Sequence, residues 1–193
     1  MSNAEAIEIT VDGVLVKVNA DQKVTQIFAS QAVDRTGAGA NAIVVCKING
    51  ELKDLWSDVK PGDVIEGLSI DSPEGLMVLR HSTAHVLAQA VQSTFSQTRL
   101  GIGPPITDGF YYDFDPERPF TPVDLEVLEK AMKKIIKDGQ RFKRRVTTDA
   151  EALKELYREP YKCELVKLKS AATDDGADVE VGAGELTIYD NLG

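Results

Sequence analysis

Histidine occurs only twice in this chain of 193 residues, and both copies lie in Leu79-Arg80-His81-Ser82-Thr83-Ala84-His85-Val86-Leu87. On an α-helix, a spacing of four sets two side chains on one face, one turn apart. A neutral imidazole accepts or relays a proton near physiological pH, so such a pair suits the activation of water in a hydrolysis, or a metal. At about 100° per residue, Leu76, Leu79, Thr83, Val86, Leu87 and Ala90 form the apolar stripe of the helix. His81, His85 and Gln92 point roughly the opposite way, toward water or toward a cleft roofed by another element. The metal option has less behind it, because HxxxH lacks the inner glutamate of HExxH and no third ligand is signalled.

Composition bounds the class around this pair. With 42% hydrophobic and 27% charged residues the chain reads as globular, with room for one large or two small domains. It holds no apolar run near the ~20 residues that span a bilayer and opens with no leader, so a cytoplasmic location without membrane contact is expected. Cys46 and Cys163 are far apart and outside any CxxC, which signals neither a disulfide framework nor a zinc finger. The net charge of −9 argues against indiscriminate nucleic-acid binding. Against that background Lys130, Lys133, Lys134, Lys137, Arg141, Lys143, Arg144 and Arg145 concentrate in one stretch, either a solvated surface or an RNA backbone contact.

The elements that must position these residues fall into two modules. Ile7, Ile9 and Val11 alternate with polar residues, Asp12-Gly13 supplies a type I′ turn, and Val14, Val16 and Val18 alternate again, which predicts a hairpin. A short helix is expected over 23–33, a break at Gly37-Ala38-Gly39, and a buried strand over 42–48 ending in the Asn49-Gly50 turn. Pro61-Gly62-Asp63 turns the chain into a last strand over 64–68. Ser72-Pro73, an N-cap followed by proline at the first helical position, then opens the histidine helix, which is expected to reach about Phe95. The glycines and prolines of residues 100–105 exclude a helix and suggest backbone in close approach to something. Residues 109–115 read as an aromatic strand in which one of Tyr111 and Tyr112 is core and the other open to a ligand. Helices are expected from Thr121 to Gly139, with Val127, Leu128, Met132, Ile135 and Ile136 inside, and from Thr148 to about Tyr157. Residues 174–184 are expected to loop out before a strand-like ending at 186–193.

Two resemblances emerge from these motifs. The hairpin, Ile48-Asn49-Gly50-Glu51-Leu52-Lys53-Asp54-Leu55 and Gly62-Asp63-Val64-Ile65 resemble a TGS domain, an accessory ubiquitin-like β-grasp fold. The ordered set His81-Ser82-Thr83-Ala84-His85, Gly103-Pro104-Pro105-Ile106, Gly109-Phe110-Tyr111-Tyr112-Asp113 and Tyr161-Lys162 resembles the N-terminal editing domain of the bacterial threonyl-tRNA synthetase family. Together they cover nearly the whole chain and imply an α+β fold. A β-grasp domain over residues 1–69 would precede an α/β editing domain over 70–193, with helices on a mainly antiparallel sheet.

The resemblance implies hydrolysis of mischarged seryl-tRNA(Thr), with His81, His85 and Lys162 catalytic and Tyr112 near the terminal adenosine. Lys143, Arg144 and Arg145 are the expected contacts to tRNA. The family's downstream Asp-x-Cys-Arg-Gly-Pro-His element is not in this sequence, and Cys163 lies on a different segment. This segment alone is therefore expected to be weak or inactive as a deacylase, and without cofactor. ATP, Mg and Zn would belong to the family's separate catalytic domain, which attaches threonine to tRNA(Thr). The full-length family is homodimeric, and this segment is expected to be monomeric. A noncatalytic RNA-binding module and a metal-dependent hydrolase are the alternative readings.

Overall fold

A computed structural model describes residues 5–30, 42–175 and 186–192. The chain divides into two compact units, Met1–Ser82 and Thr83–Gly193. The first holds β1 (Ala6–Val11), β2 (Val14–Asn19), α1 (Val24–Ala29), β3 (Ile43–Ile48), β4 (Glu51–Lys53) and β5 (Val64–Ser69). Asp12 and Gly13 both take positive φ, 47° and 82°, and close the β1–β2 hairpin with Val11 opposite Val14. Asn49 and Gly50 do the same between β3 and β4. The sheet order is β2-β1-β5-β3-β4, with β1 and β5 parallel at its centre and every other pairing antiparallel.

Parallel neighbours cannot be joined by a tight turn, so the chain between β1 and β5 has to leave the sheet edge and return. On the way α1 presses Val24, Ile27 and Phe28 onto Ile7, Ile9, Val11, Ile43, Cys46 and Ile65. Phe28 lies so close to Gly67 that a Cβ there would come within 2.9 Å of its ring. This is the expected β-grasp arrangement. The expected end of α1 at residue 33 and the Gly37-Ala38-Gly39 break lie outside the described residues.

Helix α2 (Pro73–Thr94) starts as its motif predicts: Gly75 N donates to Ser72 Oγ at 3.0 Å, and Ser72 Oγ donates to Ser69 O at 2.7 Å. Lys47 Nζ reaches Glu74 Oε1 at 2.8 Å. These contacts group the first turns of α2 with the first compact unit, which ends at Ser82.

The second unit continues with β6 (Arg99–Leu100), β7 (Pro105–Ile106), β8 (Gly109–Phe110), β9 (Phe114–Asp115), α3 (Pro122–Lys137), β10 (Arg141–Val146), α4 (Asp149–Glu155), α5 (Pro160–Asp175) and β11 (Thr187–Leu192). Its described strands pair antiparallel in three two-stranded ladders, β10-β11, β6-β9 and β7-β8. The core joins Val86, Ala90 and Val91 of α2 to Leu128 and Ile135 of α3, with Phe95, Phe114, Phe120 and Phe142 packed against them. Thr121 caps α3 by the predicted capping box, and Arg118 grips its partner Asp124 with two hydrogen bonds of 2.7 and 2.9 Å. Those bonds, with those from Thr121, hold the Asp124 carboxyl well below the usual carboxylate range.

Four expectations are corrected. The aromatic run 109–115 is two short strands, β8 and β9, separated by Tyr111–Asp113, because each pairs with a different partner. The apolar stripe of α3 is narrower than expected: Val127 and Ile136 stand about 80–100° from its centre on the 3.6-residue turn and are exposed. In α2, Leu79 is exposed, whereas Ala84, Val86, Ala88, Ala90 and Val91 are buried. The second half of that helix is therefore enclosed on several sides, and its small residues admit the close neighbours. The loop expected from residue 174 begins later because α5 runs through Asp175, and residues 141–146 and 160–173, to which no element was assigned, form β10 and the rest of α5. Residues 176–184 of the expected loop lie outside the described residues.

Candidate functional site

His81, His85 and Gln92 share one face of α2, as the helical spacing requires, but that face is not turned away from the core. The His85 ring packs at 5.8 Å from Phe142 and 5.6 Å from Tyr189, and its Nε2 is buried. Phe142 lies on β10 and Tyr189 on β11, so this strand pair is the roof. His81, one turn earlier, is exposed and groups with the first unit.

Gln92 stands seven residues beyond His85, ~10.5 Å along the same face at 1.5 Å per residue. Its Nε2 donates to Glu159 Oε1 at 2.7 Å, and the second carboxylate oxygen of Glu159 accepts from Leu100 N at 3.0 Å. Glu159 is the residue before α5. Cys163 N donates to its carbonyl at 3.0 Å, so its backbone caps the helix while its side chain reaches outward. Three residues on, Lys162 Nζ donates to Tyr112 Oη at 3.3 Å and lies 5.6 Å from the centre of that ring.

The structure thus brings Lys162 and Tyr112 together. Burial lowers the Lys162 ammonium from its ordinary lysine value, and the Glu159 carboxylate works against that shift. Burial, and then the same carboxylate, push the Tyr112 hydroxyl up to about 12, so it stays protonated at neutral pH. Tyr112 also stacks on Phe114, with centroids 4.6 Å apart and planes 12° from parallel. Of the two tyrosines it is the half-buried one, and Tyr111 is 44% exposed. Gly103 explains the close approach foreseen for residues 100–105: a Cβ there would lie 2.2 Å from the Tyr112 ring.

The basic triplet of β10 does not act as one surface. Strand alternation sends Phe142 and Arg144 to the face that meets His85, and sends Lys143 and Arg145 to the other. Arg145 is committed to internal pairing. Its Nε donates to Asp190 Oδ2 at 2.7 Å, and a terminal nitrogen bonds Glu155, which hold the guanidinium above its usual range. Arg145 therefore ties β10 to β11 and α4. Lys143 and Arg144 are exposed.

The cysteines are structural. Burial pushes the Cys46 thiol up to about 12, and Cys163 Sγ donates to Leu156 O at 3.1 Å, sealing the end of α4. Among the described residues no three His, Cys, Asp or Glu side chains gather as a metal site, and no helix is long and apolar enough to cross a membrane. A groove of about 410 Å³ between α5 and the β6–β9 ladder, lined by Ile102, Asp113, Phe114, Tyr161 and Leu168, includes none of the predicted site residues. Sequence reasoning missed Glu159, Phe142 and Tyr189. The signal for Glu159 was its place before Pro160, three residues from Lys162, and for the aromatics their alternation with charged residues.

No family model matches the chain. It is 62% identical over 156 residues to the threonine--tRNA ligase of Streptomyces coelicolor, a match covering 80% of this chain and 24% of that protein. The threonine--tRNA ligase of Thermobifida fusca is 56% identical over 166 residues, covering 85% and 25%. That of Pseudarthrobacter chlorophenolicus is 49% identical over 194 residues, covering 100% and 28%. The chain belongs to the threonine--tRNA ligase family. It spans about a quarter of the length of the curated relatives it matches.

Proposed function

We propose that this segment is the editing part of a threonine--tRNA ligase and hydrolyses seryl-tRNA(Thr), within a protein that joins threonine to tRNA(Thr) using ATP. The observation that carries the reading is the half-buried Lys162–Tyr112 pair, linked through Glu159 and Gln92 to the α2 face that presents His85. Hydrolysis of an aminoacyl ester adds water to the carbonyl carbon, breaks the bond to the ribose oxygen, and returns a proton to that oxygen. His81 and His85 manage the proton of the attacking water and its return to the ribose. Lys162, charged and poor in solvent, stabilises the tetrahedral oxyanion. One face of Tyr112 is taken by Phe114, so its hydroxyl, not a free ring face, is the group offered to the terminal adenosine.

A synthetic pocket built for threonine separates it from the smaller serine by only ~10–200-fold, so a second sieve is physically warranted. With the chain extended to its relatives' length, His85→Ala should depress serine release from seryl-tRNA(Thr) while the circular dichroism spectrum stays native. An unchanged rate would remove His85 from the reaction.

The acceptor end of tRNA(Thr) is the proposed partner, and Arg144, which strand alternation puts on the His85 face of β10, is the proposed contact to its phosphates. Arg144→Glu should weaken tRNA binding about tenfold and reduce the slope of log affinity against log salt by roughly one. Lys143→Glu, on the opposite face, should change binding less. Equal effects of the two reversals would indicate a diffuse charge effect in place of a contact.

A further inference from the structure

We propose that Glu159 is a positioning residue of the site, fixing the His85-bearing face of α2 against the start of α5 so that the Lys162 ammonium stands at the Tyr112 hydroxyl. The inference rests on the editing reading for its functional meaning and on the geometry for its substance. A glutamate just before a helix ordinarily turns its side chain to water or to its own first turn. This one spends one oxygen on Gln92 of α2 and the other on the Leu100 backbone of β6, while its carbonyl caps α5. Three elements thus meet at one carboxylate, three residues from Lys162.

A partly desolvated ammonium needs an opposite charge nearby or it gives up its proton. The titratable groups facing Lys162 are Glu159, at the start of its own helix, and Tyr112, from the segment between β8 and β9; α2 and β6 contribute the uncharged Gln92 amide and the Leu100 backbone. Tyr112 is protonated at neutral pH and brings no charge, so Glu159 supplies the compensation. A glutamine at 159 removes the charge and keeps the shape: its one amide oxygen can still accept from Leu100 N, and its amide nitrogen can donate to Gln92 once that side-chain amide turns its own oxygen inward.

The test is NMR titration of the Lys162 side chain in the 193-residue chain, with the backbone amide spectrum reporting the fold. In Glu159→Gln the Lys162 midpoint should move to lower pH with the amide spectrum preserved, while Glu159→Asp should restore part of the difference. An unmoved midpoint in a folded Glu159→Gln variant would overturn the inference. Should that variant fail to fold, the unaltered chain still decides the matter. The backbone nitrogen resonance of Leu100, whose N–H is held by Glu159, must then shift at the Lys162 midpoint, and a Leu100 resonance unmoved through that midpoint would overturn the proposal. Neither readout uses tRNA, so failure of the editing reading and failure of this one are separately visible. In the extended chain, Glu159→Gln should lower kcat about tenfold with KM for seryl-tRNA little changed, and should shift the alkaline limb of the rate profile with the NMR midpoint.

Discussion

Lys162→Ala should reduce seryl-tRNA(Thr) deacylation by about 10²–10³-fold, the usual consequence of removing one preorganised group from a developing oxyanion. The size follows from the setting. A solvated lysine would be weakened by screening, whereas this one is desolvated and held at 3.3 Å from Tyr112 Oη. The pH dependence has a definite sign. Burial lowers the folded-state pKa of Lys162, so activity that needs the ammonium is present below that pKa and lost as pH rises through it. Stability runs the other way. The folded chain binds fewer protons at this site than the unfolded chain, so stability grows as pH rises between the folded and unfolded pKa values. Lys162→Met should abolish that gain. Single-turnover rates and thermal unfolding across pH check both statements.

Gly103→Ala should damage the site from outside its list of chemical groups. The added methyl would lie 2.2 Å from one Tyr112 ring carbon and 2.4 Å from the next, distances no rotamer adjustment of a methyl can relieve. Either the ring leaves its stack on Phe114 or the 101–105 segment shifts, at a cost of about 1–3 kcal/mol for overpacking. Deacylation should fall with it, since the Lys162 partner moves. Tyr112→Phe separates the two effects: the stack remains and only the hydroxyl is lost. A Gly103→Ala protein with native melting temperature and rate would show that the ring has another place to go.

Much of the fold was legible because local chemistry and global arrangement agree. Asp12-Gly13 and Asn49-Gly50 need positive φ and fall at hairpin turns, and Ser72-Pro73 and Thr121-Pro122 mark helix starts by the hydrogen bonds they leave to be satisfied. What was not legible came from tertiary context. Arg141–Val146 reads as a run of charge, and only pairing with β11 makes it a strand whose alternate residues serve two faces. Helix α5 lacks a clean apolar period after Pro160, so nothing local announced it. Of the candidate site, the helix followed from spacing, aromatic alternation left Tyr111 and Tyr112 both open, and Tyr112 and Lys162 themselves came from resemblance to the family. Glu159 carried a local marker in its place before Pro160, but its role was not legible because its partners Gln92 and Leu100 lie 67 and 59 residues away.

The most direct measurement is a parallel single-turnover hydrolysis of seryl-tRNA(Thr) and threonyl-tRNA(Thr) by the chain extended to its relatives' length. The account predicts rapid release of serine and survival of the threonyl ester, with the serine reaction lost in Lys162→Ala. Intact seryl-tRNA(Thr), or equal hydrolysis of both esters, would contradict it.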